Sequence, residues 1–315
     1  MVSYLRPSFL PAVTAALLLF SAFISSGEAR GLATYWGQIG KEEGSLALAC
    51  YLSGFDWAVI SFLNNFGGGK TPKLNLADHC DAADGNCAFL STQIKACQYL
   101  QVKVFLSVGG PDPNYSLDTQ EDADFLVSYL WDNFLGGTAE SRPLGDVVLD
   151  GIDFAIESGS NKYWKYVAEK VHALSTPAKK VYLTTAPKCR IPDYYMDGAI
   201  RLGIFDYVWV KFYNDSSCQY EEISNDFGVN SQKLLASWYT WHDYPGINKL
   251  VMGTPSYPEA TPGGGYMYVD PYYYYILPIL QKSAKFGGTM FWTVNYSPEK
   301  TVGGSVSGSK GLAIV

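Results

Sequence analysis

Histidine is nearly missing from this chain: His79, His172 and His242 stand far apart, with no metal-ligand spacing between them. A histidine-based nucleophile triad and a zinc centre are disfavoured, and nothing in the pattern calls for a metal or a cofactor. Positive charge is also scarce. Lys and Arg number 23 against 30 Asp and Glu, a formal net charge of −7, which argues against a nucleic-acid partner because phosphate binding needs a basic surface. After residue 24 no apolar run is long enough to cross a bilayer, so no membrane association is expected once the leader is gone.

The one long apolar run lies at the start. Arg6 precedes it without an acid, residues 12–24 are apolar, and Gly27, Glu28 and Ala29 place small residues around a cleavage point. That order is a secretory signal, so residues 1–29 are expected to be a removed leader and the protein to be secreted, to the extracellular space, cell wall or vacuole. Residues 30–298 are expected to form one domain and 299–315 a Gly/Ser-rich tail. All six cysteines, Cys50, Cys80, Cys87, Cys97, Cys189 and Cys218, follow the leader and read as disulfides in an oxidising compartment. Many connectivities are open, though Cys80 and Cys87 bracket a short loop that suits a local bridge. Asn114, Asn214 and Asn295 each begin a glycosylation sequon.

Short runs rich in β-branched and aromatic residues recur at 32–36, 57–63, 102–108, 147–154, 181–186, 207–213, 250–253 and 288–293. Helix-length stretches separate them, at 90–99, 123–133, 162–174, 231–240 and 273–280 among others. Strands apolar on both faces, alternating with helices, imply a parallel sheet. Eight such units in a single α/β domain predict a closed (β/α)8 TIM barrel, whose chemistry sits at the C-terminal strand ends. Trp238 and Trp241 read as one buried helical face, and the run Tyr272 to Tyr275 as packing against the barrel.

The segment 150–157, Asp-Gly-Ile-Asp-Phe-Ala-Ile-Glu, stands out among the strands. Side chains two apart share a face, so Asp153, Ala155 and Glu157 point one way and Phe154 and Ile156 the other. Carboxylates facing inward at the end of a buried strand cost several kcal/mol of desolvation, on the order expected only where they have a task. Two acids around a bare methyl suggest a sugar-processing site with one member missing.

Tyr-Trp-Gly-Gln at 35–38, Leu-Asn-Leu-Ala-Asp-His-Cys at 74–80, Ser-Val-Gly-Gly at 107–110, the stretch 142–154, the stretch 205–214 and Cys-Gln-Tyr at 218–220 lie in one collinear order. With these the chain resembles the plant class III chitinases of glycoside hydrolase family 18. The resemblance implies disulfides Cys50–Cys97, Cys80–Cys87 and Cys189–Cys218. It also implies a catalytic signature D-x-x-D-x-D-x-E, which Asp150, Asp153 and Glu157 match and Ala155 breaks. Tyr213 matches a site tyrosine, whereas Lys211 replaces a family glutamine. Trp292 matches the tryptophan under the sugar next to the scissile bond, and Gln38 and Asn75 match positions near the sugars.

In that family the substrate's own N-acetyl group is the nucleophile and the glutamic acid protonates the leaving oxygen. Ala155 cannot orient the acetamido group, a loss worth on the order of 10²–10⁴ in rate. A lysine beside Glu157 favours its charged form and makes it a poorer proton donor. The resulting expectation is a chitinase-like lectin with lost or crippled catalysis, in which Trp292 and Tyr35 stack on N-acetylglucosamine-containing glycans. The alternatives are an endochitinase using Glu157, Asp153 and Tyr213, or a protein-binding relative such as a xylanase inhibitor, with a protein glycosidase as partner, or a seed storage protein.

Overall fold

The computed structural model describes residues 31–294, apart from Ser53, Ala83 and Asp84. The expected leader, the 299–315 tail and the Asn295 sequon lie outside the described residues. The strands are β1 (Gly31–Trp36), β2 (Trp57–Gly67), β3 (Lys70–Leu74), β4 (Lys103–Gly110), β5 (Gly151–Ile156), β6 (Tyr182–Thr185), β7 (Tyr207–Lys211), β8 (Leu250–Pro255) and β9 (Phe286–Trp292). All but β3 are parallel, and β1 pairs with both β2 and β9, so eight strands close into a barrel. The (β/α)8 expectation holds.

β3 was not anticipated. It turns back antiparallel on β2 through Gly67, Gly68 and Gly69, all at positive φ, and exposes most of its side chains, leaving little apolar signal. The strand expected at 147–154 starts later, at Gly151. Before it the chain is still irregular: the Asp150 carboxylate accepts from Val104 N at 2.9 Å and Gln98 Nε2 at 3.0 Å, anchoring the strand entry. Glu157 therefore follows the last residue of β5 directly.

Alternation along the strands sorts two layers. Ala33, Tyr35, Val59, Phe105, Ala155, Trp209, Val251 and Met290 fill the barrel interior. Ile152, Phe154, Ile156, Val208 and Val210 face outward and join a larger core with the helices. Those helices are α1 (Leu46–Leu52), α2 (Leu90–Tyr99), α3 (Gln120–Leu130), α4 (Trp164–His172), α5 (Asp197–Ile200) and α6 (Phe227–His242), followed by helical turns over 269–280. α3 begins ahead of the hydrophobic pattern because Thr119 Oγ1 caps it, accepting from Asp122 N at 3.1 Å. Asp226 caps α6 in the same way through Gly228 N.

All three implied disulfides form. Cys50–Cys97 ties the C-terminal halves of α1 and α2 together, at the end of the barrel where β2 and β4 begin, and Cys189–Cys218 ties the loop after β6 to the loop after β7, beside the barrel mouth. Trp238 and Trp241 are buried as expected. The tyrosine run corrects its reading: Tyr272 is buried against Thr289, but Tyr273, Tyr274 and Tyr275 are exposed, because the helical turn carries one face inward only.

Candidate active site

Asp153 is the polar centre of the barrel. It is fully buried, and four donors converge on its carboxylate: Ser107 Oγ at 2.6 Å, Tyr35 Oη at 2.7 Å, Thr184 Oγ1 at 2.8 Å and Trp209 Nε1 at 2.9 Å. Burial pushes this carboxyl above its ordinary range, and the four hydrogen bonds pull against that push. These donors come from β1, β4, β6 and β7, so one acid binds half of the barrel wall together.

Ala155, the next inward residue of β5, is 2% exposed and belongs to the apolar interior. The neighbouring strand comes close here. Gly109 has φ +110, and a Cβ on it would lie 2.5 Å from Ala155 O, while a Cβ on Gly110 would strike the Phe62 ring. The two glycines after Ser107-Val108 are thus required by contact with β5 and β2.

Above Ala155 the site turns charged. Lys211 Nζ lies 2.6 Å from Glu157 Oε1, with the two side chains 9% and 22% exposed. The expected pairing of this lysine with the acid is therefore present. Lys211 also faces the buried Asp193, whose carboxyl is pushed up by burial and drawn down by the amides of Met196, Lys188 and Tyr195 and by the Lys211 charge. Glu157 opens into a cleft of about 400 Å³ walled by Lys188, Arg190, Pro192, Tyr194 and Tyr195. None of those wall residues was singled out from the sequence, because all five lie in the irregular loop after β6, where no strand or helix period marks a face.

Tyr213 is 6% exposed, and its hydroxyl is pushed well up by burial and by the charges of Glu157 and Asp153. It thus remains a neutral donor. Trp292 is half-buried, stacked on Phe62 at 5.8 Å and edge-on to Tyr35 at 5.3 Å. Asn75 is exposed, its Oδ1 accepting from Ala77 N.

Two expected sugar contacts need correction. Tyr35 is only 2% exposed, with its hydroxyl committed to Asp153, so it supports Trp292 from below and offers no free face. Gln38 spends its amide on the carbonyls of Gly37, Ser61 and Asn75, which makes it a brace for the mouth loops. Of the two described sequon asparagines, Asn114 and Asn214 are both exposed, and Asn214 Oδ1 accepts from Gly263 N at 2.9 Å.

The model of the glycosyl hydrolases family 18 matches residues 31–265, which contain the Asp153 centre, Ala155, Glu157, Lys211 and Tyr213. The chain belongs to glycosyl hydrolase family 18. Within it, the plant class III chitinases are its kin. A relative from Cicer arietinum named acidic endochitinase is 46% identical over 277 residues, covering 88% of this chain and 91% of its own. The crystal structure of a chitinase from Ipomoea carnea is 44% identical with a TM-score of 0.78, covering 84% of this chain and 94% of that one. A xylanase and α-amylase inhibitor protein from Scadoxus multiflorus is 38% identical with a TM-score of 0.77, over 85% and 94% of the two chains.

These relatives correct the functional expectation drawn from Ala155 and Lys211. Curated relatives spanning nearly the whole chain carry the name acidic endochitinase, and they favour the hydrolase alternative over a lectin with lost catalysis. A missing carboxylate lowers a rate; by itself it does not remove the acid that is still present.

Proposed function

We propose that this family 18 member is an endochitinase that cleaves β-1,4-linked N-acetylglucosamine polymers, with Glu157 as the proton donor. The observation that carries this reading is the position of Glu157. It stands at the C-terminal end of the fourth barrel strand, part-exposed to a cleft, over a buried Asp153 network. In a substrate-assisted reaction the N-acetyl carbonyl attacks the anomeric carbon while the acid protonates the leaving oxygen; water then opens the oxazolinium with the same carboxylate as base. Tyr213 supplies a neutral hydroxyl to the acetamido group, Trp292 the face beneath the sugar, and exposed Asn75 a polar contact at the rim. Ala155 leaves the acetamido N–H without a carboxylate partner at that strand position.

The route is proposed to be secretory. Residues 1–29 fit a removed leader, and three disulfides fit an oxidising destination outside the cytosol. No helix among the described residues is long and apolar enough to cross a membrane. The test is product formation from a chitin oligomer, comparing the protein with Glu157→Gln. Shorter oligomers released by the former and not by the latter support the proposal. Equal product from both, or none from either, refutes it.

A further inference from the structure

The backbone that carries Glu157 is not held by the sheet. β5 pairs with β4 only as far as Gly110 opposite Ile156, and with β6 only as far as Phe154 opposite Thr185. The amides of Glu157 and Ser158 therefore lie past the end of the ladder, and they find their acceptor in a side chain. Tyr115, from the loop after β4, accepts from Glu157 N at 2.8 Å and from Ser158 N at 3.0 Å, and donates its own proton to Gly110 O at 2.8 Å. One phenol oxygen offers one proton and two lone pairs, so every capacity of this hydroxyl is used.

The ring itself is fixed. Tyr115 is 2% exposed, stacked on Phe66 at 5.1 Å and edge-on to Trp164 at 6.4 Å. Burial pushes its hydroxyl far up, which keeps it a neutral donor and acceptor. Neighbouring contacts lock the same two segments: Ser160 N donates to Ser116 Oγ at 3.1 Å, and a Cβ on Gly159 would lie 2.5 Å from Tyr115 O. The loop 111–117 and the turn 157–160 thus meet as one clamp.

We infer that Tyr115 is a positioning residue for the reaction proposed above: it fixes the origin of the Glu157 side chain through that residue's amide, without touching its carboxyl. The kinetic part of this inference rests on the chitinase reading; the structural part does not. A ladder hydrogen bond would let the strand slide or fray with its neighbours, whereas three bonds to one buried phenol hold a single point.

Tyr115→Phe removes the hydroxyl and keeps the ring packing. Its turnover of a chitin oligomer should fall by about 10- to 100-fold, because a displacement near 1 Å at a reacting group costs on that order, with KM changed by no more than about 3-fold. Amide hydrogen exchange read by mass spectrometry should rise roughly 10-fold or more in the segment 156–160 and stay unchanged in α6. Unchanged turnover per folded molecule, or faster exchange spread evenly over the barrel, would overturn the inference. If the parent protein gives no turnover, the chitinase proposal fails on its own, and the exchange pattern decides: local opening supports the clamp and no opening refutes it. If Tyr115→Phe does not fold, the parent protein decides by the same method, since Glu157 and Ser158 amides must be as protected as Phe154.

Discussion

Replacing Lys211 by glutamine isolates the restraint on the proton donor. In the parent protein Glu157 Oε1 is 2.6 Å from Lys211 Nζ, and both side chains are mostly shielded from water, so solvent screens the pair only in part. To deliver a proton to the leaving oxygen, Glu157 must give up this charge-assisted hydrogen bond. A hydrogen bond to a charged group is worth about 1.5–3 kcal/mol, and each 1.4 kcal/mol is about tenfold in rate, so the restraint amounts to roughly 10- to 100-fold. Lys211→Gln should therefore raise kcat on a soluble chitin oligomer by about 10-fold or more, with KM nearly unchanged because ground-state contacts are untouched. Glutamine can still donate to the carboxylate, and Asp193 keeps its three backbone amides, so the variant should fold. Steady-state kinetics on the two proteins decides the matter. A kcat that stays level or falls would show that Lys211 does not hold the acid back, and that it contributes to the reaction instead.

Ala155→Asp restores an acceptor for the acetamido N–H and should raise kcat by on the order of 10²–10⁴, read in the same assay. Because the site is 2% exposed and adjoins Asp153, a lower melting temperature should accompany the gain. Combined with Lys211→Gln the two effects should not add, since a carboxylate at 155 would join the same close set of charges as Glu157 and the residue at 211. Trp292→Ala removes the half-exposed face stacked on Phe62, and KM should rise by about 5- to 30-fold for a loss of about 1–2 kcal/mol. The Arg190–Asp215 pair sets a pH dependence of stability. Burial acts upward on the Asp215 carboxyl, but hydrogen bonds from Arg190 and Ser217 outweigh it and hold it below its ordinary range. Its contribution is thus complete above the ordinary carboxylate value of about 4 and is lost as pH falls through the lower folded value. Thermal melts of Arg190→Gln should therefore lose least, relative to the parent, at the acid end.

Period-two alternation and the spacing of apolar runs were enough to determine a closed barrel, the inward row Asp153, Ala155 and Glu157, and the place of that row at the mouth. Those properties are local: they depend on which face a side chain takes and how often strands recur. The collinear motifs determined the family and, through it, the cysteine pairing. What the chain order could not carry is the set of partners each group finds across the barrel. Tyr35 and Gln38 looked like sugar contacts because they share a motif with a site, yet closure of the ring turns one onto Asp153 and the other onto three carbonyls. Tyr115 carried no signal at all, being one tyrosine among 24, and only the meeting of its loop with the frayed end of β5 gives it a task. Lys211 lies between these cases: its inward direction follows from alternation on β7, but its contact with Glu157, 54 positions away, depends on the barrel curvature that brings the fourth and sixth barrel strands to one mouth. Periodicity is inherited from the backbone and can be read along one strand. Hydrogen-bond partnership is a property of distance in space, and it exists only once the sheet has closed.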